Sequence, residues 1–254
     1  MCMLTFVKPG ATPDIAALRN GAWSNPHGHG YALITADTIT TGHSLDPETA
    51  LAEFAALRFE YPHGPALFHS RFATHGKPTL DNCHPFPVGG DERTVLAHNG
   101  ILPPNVHPGP GDERSDTRIA AEDFLPTAPF GSLDSWRGRE GLERWLGSDK
   151  FVLLTLDPAY AQRAYIFNEA RGHWDNDTGI WYSNHDHLPS RWHYEDYSDY
   201  GYCHGCGEED STLAGPHCCH CGFCAACYAP FPHCECPDLA GHQRYAALLD
   251  MENA

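Results

Sequence analysis

Short apolar runs and amphipathic stretches alternate along the first three quarters of the chain. Leu4 to Lys8 predicts an opening strand, and Asp14 to Arg19 a short helix. Tyr31 to Thr35 is apolar and β-rich. Asp46-Pro47-Glu48 is a helix start, with an N-cap carboxylate and proline at the first helical position. Leu51, Phe54, Ala55 and Leu57 keep helical spacing from there to Tyr61-Pro62. Ala66 to Thr74 and Thr94 to His98 read as strands with polar ends. Pro103 to Arg114 is rich in proline and glycine and predicts a loop. Asp116 or Thr117 is placed to cap a helix through Ile119 to Leu125, and Leu142 to Leu146 closes another. Phe151 to Leu156, Ala164 to Phe167 and Ile180 to Ser183 complete the strands. Grouped strands with intervening helices suit a layered α+β architecture better than a βαβ repeat.

The pattern changes near residue 190. It predicts a main domain over 2–190, a polar and aromatic linker over 191–202, a Cys/His module over 203–238 and a tail or short helix over 239–254. Eleven cysteines would suggest disulfides if spread through a secreted chain, but nine fall between Cys203 and Cys236. Clustered CxxC pairs read as metal ligands. The opening MCMLTFVKPG lacks a basic segment followed by a long apolar run, and no stretch nears the ~20 apolar residues of a membrane span. The expectation is a cytoplasmic protein without a membrane segment. A formal net charge of −17 disfavours phosphate backbones, so nucleic acid is not expected as a partner.

Cys2 carries the first candidate chemistry. Removal of Met1 would leave a thiol and a free α-amine on one residue. An amine with a pKa near ~8 can serve as base toward that thiol and later as acid toward a leaving amine. Three further segments accompany it: His69-Ser70-Arg71-Phe72-Ala73-Thr74-His75-Gly76, Leu96-Ala97-His98-Asn99-Gly100-Ile101-Leu102, and Ser115-Asp116-Thr117. Each has an ordinary structural use, since Asn-Gly makes turns and Ser-Asp-Thr caps helices. Together, in this order and beginning at position 2, they resemble the signature segments of class II glutamine amidotransferase domains. Met1-Cys2-Met3-Leu4 and Asn25 to Tyr31 are most similar to the small stand-alone members.

The resemblance covers roughly residues 2 to 185. It implies a four-layer αββα sandwich of the N-terminal-nucleophile (Ntn) hydrolase kind and a glutaminase half-reaction. Cys2 would attack the glutamine side-chain amide and form a thioester, releasing ammonia and then glutamate. The Asn99 carboxamide and the Gly100 N–H would form the oxyanion hole. Arg71 would pair with the α-carboxylate and Asp116 with the α-ammonium, while Thr74, His75 and Gly76 line the pocket. Two positions depart from the family pattern. Met3 follows the nucleophile where glycine is common, and Phe72 cannot donate the hydrogen bond that a tryptophan or tyrosine would. The strand-end histidines read as hydrogen-bonding scaffold, and Cys83 as an ordinary small residue.

The cysteine cluster supplies Cys203, Cys206, Cys218, Cys219, His220, Cys221, Cys224, Cys227, Cys234 and Cys236, enough for two structural zinc ions. One arrangement joins Cys203, Cys206, Cys224 and Cys227; the second ion would draw on Cys218 or Cys219, His220 or Cys221, Cys234 and Cys236. That interleaving resembles RING-type fingers, although the final Cys-x-Cys departs from them. A zinc ribbon through Cys203, Cys206, Cys221 and Cys224 competes. With so little apolar core, metal would supply much of the module's folding free energy. Its few basic residues favour a protein partner, such as a separate synthase that accepts the ammonia. Two other functions stay open: a RING-like adaptor on an Ntn fold, and an Ntn hydrolase of another γ-glutamyl amide.

Overall fold

A computed structural model of the chain describes residues 2–188 and two short strands, 213–214 and 217–218. The chain divides into two compact units, Met1–His187 and Leu188–Ala254. In the second, Leu213–Ala214 pairs antiparallel with His217–Cys218. Apart from that backbone, the zinc ligands expected from sequence lie outside the described residues, as do the expected linker and tail.

The first unit holds two antiparallel sheets. Six strands make the larger: β1 (Met3–Val7), β2 (His29–Ile34), β3 (Ile39–Ser44), β4 (Ala66–Ser70), β9 (His173–Asp175) and β10 (Ile180–Tyr182), in the order β3-β2-β4-β1-β10-β9. The smaller runs β5 (Phe86–Val88), β6 (Asp91–Asn99), β7 (Lys150–Thr155) and β8 (Ala164–Phe167), in that order. Alternation along each strand assigns side chains to two different cores. Leu4, Phe6, Ala32, Ile34, Leu67 and Trp181 of the large sheet face Val95, Ala97, Val152, Leu154 and Ile166 of the small one. The other face of the large sheet, with Met3, Val7, Leu33 and Phe68, packs on Leu18 of α1 (Ile15–Ser24) and on Leu51 and Phe54 of α2 (Pro47–Glu60). Leu96, Phe151, Leu153 and Phe167 meet Ala120 and Ala121, together with Leu142 and Leu146 of α4 (Trp136–Leu146). The layers therefore run helix, sheet, sheet, helix. Strands covered on both faces read as near-continuous apolar runs, such as MLTFV and KFVLLT.

Asp46 caps α2 through the Thr49 N–H, as its sequence predicts. Other boundaries move. The helix expected to end at Arg19 continues to Ser24. The helix expected to be capped by Asp116 or Thr117 is capped by Ser115, whose side chain accepts from the Arg118 N–H at 3.1 Å. That helix, α3, spans only Asp116–Ile119; it passes into a π turn over Ala120–Phe124 and a 3₁₀ turn over Leu125–Thr127. Pro126 supplies no N–H to continue the helical pattern. The strand read as Ala66 to Thr74 ends at Ser70, which leaves Arg71 to Thr74 as irregular chain. Among the described residues, no helix is long and apolar enough to cross a membrane.

Candidate active site

The N-terminal end of β1, the C-terminal ends of β4 and β6 and the start of α3 converge on one small cleft. Cys2, Arg71, Phe72, Thr74, His75, Gly100 and Asp116 line it, and they leave a cavity of only about 10 Å³. The β1–β4 register pairs Met3 with Ser70, so the residue before β1 meets the residues after β4. Cys2 Sγ accepts from the Phe72 N–H at 3.3 Å and also approaches the Phe72 carbonyl at 3.6 Å. Burial raises the Cys2 thiol above its ordinary value; the Phe72 hydrogen bond and the nearby Arg71 guanidinium offset this only in part. A thiol so placed is protonated at neutral pH and needs a base to act as a nucleophile.

Arg71 is buried, and its guanidinium closes a loop on itself: Nη1 donates to the Lys77 carbonyl at 2.8 Å and Nη2 to the His75 carbonyl at 2.6 Å. A guanidinium has five N–H donors, so these two bonds leave others for an anion. The same loop is tied from outside. The Arg71 N–H bonds the Gly28 carbonyl, the His27 N–H bonds the Arg71 carbonyl, and the Ala73 N–H bonds His27 Nδ1. Gly76, at φ +71°, brings the loop against Ser115; a β-carbon there would sit 2.9 Å from the Ser115 nitrogen. Gly76 therefore shapes the loop and is not among the cleft-lining residues.

Asp116 is buried and oriented by backbone: Oδ2 accepts from the Leu102 N–H at 2.9 Å and Oδ1 from the Thr117 N–H at 2.7 Å. Gly100 adopts φ +144°, and a β-carbon there would fall 2.0 Å from the Asp149 carboxylate carbon. Asp149 in turn contacts His98 Nε2 at 3.3 Å, and His98 Nδ1 meets Thr117 Oγ1 at 2.9 Å. Glycine is thus dictated both by backbone and by the carboxylate packed against it.

Asn99 stands behind the cleft. Its Nδ2 donates to the Cys2 carbonyl and to Ser183 Oγ, the latter at 2.7 Å, while its buried Oδ1 has no partner. The amide expected to face a developing oxyanion is occupied in holding the nucleophile's own carbonyl. Two residues that sequence reasoning missed complete this clamp. Asn184 Nδ2 donates to the same Cys2 carbonyl at 2.9 Å, and Ser183 Oγ accepts from the Leu4 N–H at 2.9 Å. A third, Asn82, joins the Lys77 loop to the 113–115 segment by bonding the Lys77 and Glu113 carbonyls and the Ser115 N–H. Isolated asparagines and a serine after the last apolar strand give no sequence signal for these roles.

Histidines pack beneath the cleft. His69 Nε2 donates to the His98 carbonyl, 2.9 Å away, and its ring stacks on His84 at 4.0 Å. His84 Nδ1 accepts from the His98 N–H at 3.3 Å, and His29 Nδ1 pairs with Ser70 Oγ at 3.1 Å. These rings act as hydrogen-bonding struts between the strand ends. A second cavity lies at the far end of β1, lined by Phe6, Ile34, Tyr61 and Arg163. It contains none of the candidate site residues predicted from sequence.

No family model matches the chain. Its sequence is 44% identical over 60 residues to the glutamine–fructose-6-phosphate aminotransferase of Streptococcus pneumoniae, covering 24% of this chain and 10% of that protein. It is 27% identical over 154 residues to the Mycobacterium tuberculosis protein of the same name, covering 59% of this chain and 24% of that one. The chain thus spans a quarter or less of the length of these relatives. The solved glutamine phosphoribosylpyrophosphate amidotransferase of B. subtilis aligns over 72% of this chain and 41% of its own, at 14% identity and a TM-score of 0.44. The sequence similarity supports a domain of the glutamine amidotransferase type in this chain.

Proposed function

We propose that the chain is an Ntn-type glutamine amidotransferase domain that hydrolyses the glutamine side-chain amide through Cys2. The observation that carries this reading is one cleft shared by a buried terminal-region thiol, a buried guanidinium with spare donors and a buried carboxylate. Those charges complement the two ends of an amino acid: Arg71 takes the α-carboxylate and Asp116 the α-ammonium, leaving the side-chain amide to Cys2. The cleft is narrow, and entry of the substrate requires the loop carrying Thr74 and His75 to shift outward.

Once Met1 is removed, the α-amine of Cys2 accepts the thiol proton, directly or through a water. The sulfur attacks the amide carbon, and the carbonyl oxygen becomes an oxyanion. The Gly100 N–H forms no hydrogen bond to another residue among those described, so it is free to donate to that oxygen. Asn99 joins it by exchanging its bond to Ser183 or to the Cys2 carbonyl. The protonated α-amine returns its proton to the leaving nitrogen as the C–N bond breaks. Water then cleaves the thioester, restoring the thiol and releasing glutamate. Each oxyanion donor contributes roughly 3 kcal/mol of transition-state stabilisation in such sites. The ammonia passes to an acceptor, and the cysteine cluster would hold two structural zinc ions and serve as a docking module for the protein that carries that acceptor.

Glutamate release from glutamine by the purified protein, against Cys2→Ala, tests the reaction. Equal rates in the two proteins exclude it. Mass spectrometry of the intact chain must show loss of Met1, because a retained methionine blocks the amine. Parallel assays with γ-glutamyl amides other than glutamine identify the substrate within this class, and metal analysis of the purified protein counts the zinc.

A further inference from the structure

Two cleft residues, His75 and Asp116, and the neighbouring His107 form a group of side chains that the proposed reaction does not fully use. Ligand atoms of His75, His107 and Asp116 all lie within 4.8 Å of one another. The two imidazole rings are 4.3 Å apart, and His75 Nδ1 lies 3.8 Å from Asp116 Oδ2. That separation is too long for a hydrogen bond. His75 Nδ1 is buried and has no hydrogen-bond partner. An imidazole nitrogen and a carboxylate oxygen that face one another without a bond between them are two donor atoms that one shared cation would satisfy.

The surrounding bonds orient these groups as ligands. His107 Nε2 bonds the Leu102 carbonyl at 2.6 Å. A carbonyl only accepts, so Nε2 carries the hydrogen and Nδ1 keeps its lone pair. Metal-binding histidines show this division, with one ring nitrogen donating to backbone and the other ligating. The Leu102 N–H meanwhile bonds Asp116 Oδ2 at 2.9 Å. One residue's peptide groups thus hold two of the three ligands in place, as backbone hydrogen bonds do around bound metal ions. Two imidazoles and one carboxylate suit zinc, cobalt or nickel; magnesium and calcium prefer all-oxygen cages. Zn–N and Zn–O bonds near ~2.0–2.2 Å set ligand atoms roughly 3.4 Å apart in a tetrahedron. Closing the His75–Asp116 gap therefore takes about half an ångström, within side-chain rotation. The Arg71 guanidinium near Asp116 opposes a second cation.

We infer that His75, His107 and Asp116 form an inhibitory site for a borderline transition-metal ion, whose occupancy excludes glutamine from the cleft. The inference rests on the proposed role of Asp116: the metal takes the carboxylate that would bind the substrate's α-ammonium. His107 belongs to the 103–114 loop and has no part in the proposed glutaminase machinery, so it can be changed alone.

The test uses the full chain with its cysteine cluster first filled with zinc and free metal removed, then titrated with Co²⁺. The wild type is expected to take up one further equivalent, with d–d absorption lacking thiolate-to-cobalt charge transfer. His107→Ala, and His107→Asn as a polar companion, are expected to lose that equivalent. Glutamine should weaken cobalt binding in the wild type. Co²⁺ should inhibit glutamate release, with the half-inhibitory concentration rising at least tenfold in either variant and the metal-free rate unchanged. Equal cobalt uptake or equal inhibition in wild type and variants overturns the site, as does a wild type that binds no further ion. A wild type that binds the ion through His107 but releases no glutamate keeps the site and refutes the glutaminase reading instead.

Discussion

The histidines beneath the cleft make a quantitative prediction about acid stability. His29, His69 and His84 are almost fully excluded from solvent, at 0%, 0% and 3% exposure. Burial pulls His29 down to about 4, and holds His69 and His84 well below the ordinary 6.5. In the unfolded chain each returns to about 6.5. The unfolded state then binds more protons than the native state at any pH between those values. Their stabilising contribution is complete above pH ~6.5 and is lost as the pH falls. His29 alone gives a slope of about 1.4 kcal/mol per pH unit between pH 6 and 5, and His69 and His84 steepen it in the same direction. A domain stable by ~5–15 kcal/mol cannot sustain that slope for long, and unfolding is expected well before pH 4. Carboxylates held low by hydrogen bonds, such as Asp46 and Asp91, act in the same direction only at lower pH. The clean measurement is a difference. Urea unfolding of wild type and His29→Gln at pH 7, 6, 5.5 and 5 isolates one titrating group. The variant should be less acid-sensitive, closing on the wild type by about 2 kcal/mol between pH 6.5 and 5. Parallel pH dependences in the two proteins would mean that His29 is not held neutral by burial, and the reasoning would fail.

Other predictions follow from single contacts. Asn184→Ala leaves the Cys2 carbonyl to Asn99 alone; kcat for glutamate release should fall roughly tenfold with KM little changed, while stability drops only about 1 kcal/mol. Gly100→Ala drives a β-carbon into the Asp149 carboxylate at positive φ, and a loss of about 3 kcal/mol should appear as a lowered urea midpoint. Arg58, buried on α2, bonds the Lys8, Ala11 and Gly64 carbonyls; Arg58→Met strands all three and should cost about 3 kcal/mol by the same measurement. Phe54→Ala, between α2 and the large sheet, should cost ~3–5 kcal/mol without changing the rate per folded molecule.

The legible parts of the fold are those where one local rule decides the outcome. The Asp46-Pro47 start of α2 needs only a side-chain oxygen and a fixed φ, and strands such as 151–156 need only an apolar run of the right length. β3 was not legible because Ile-Thr-Thr-Gly-His-Ser carries little apolar signal; its pairing with β2 supplies what its own sequence lacks. The cap of α3 shows how near neighbours compete. Ser115, Asp116 and Thr117 can all cap, and the carboxylate of Asp116 is drawn away by the Leu102 N–H, leaving the serine to do it.

The same competition shapes the candidate site. Cys2, Arg71, Gly100 and Asp116 meet because strand register brings four chain segments to one edge, and each segment was visible as a short motif. What the motifs could not show is how each side chain divides its hydrogen bonds. Asn99 was read as a donor to the substrate, yet its Nδ2 is spent on the Cys2 carbonyl and Ser183. Arg71 was read as a carboxylate clamp, yet two of its donors first build the loop that carries His75. A donor already satisfied by the protein contributes to catalysis only by the difference between the bond it gives up and the one it gains. If the proposed chemistry operates, Asn99 must therefore gain more from the oxyanion than from Ser183. Ser183→Ala removes one of the two neutral acceptors and frees one Nδ2 hydrogen for the oxyanion, while the Cys2 carbonyl keeps the other. It should raise kcat, or at least preserve it, where loss of a purely structural bond would lower it.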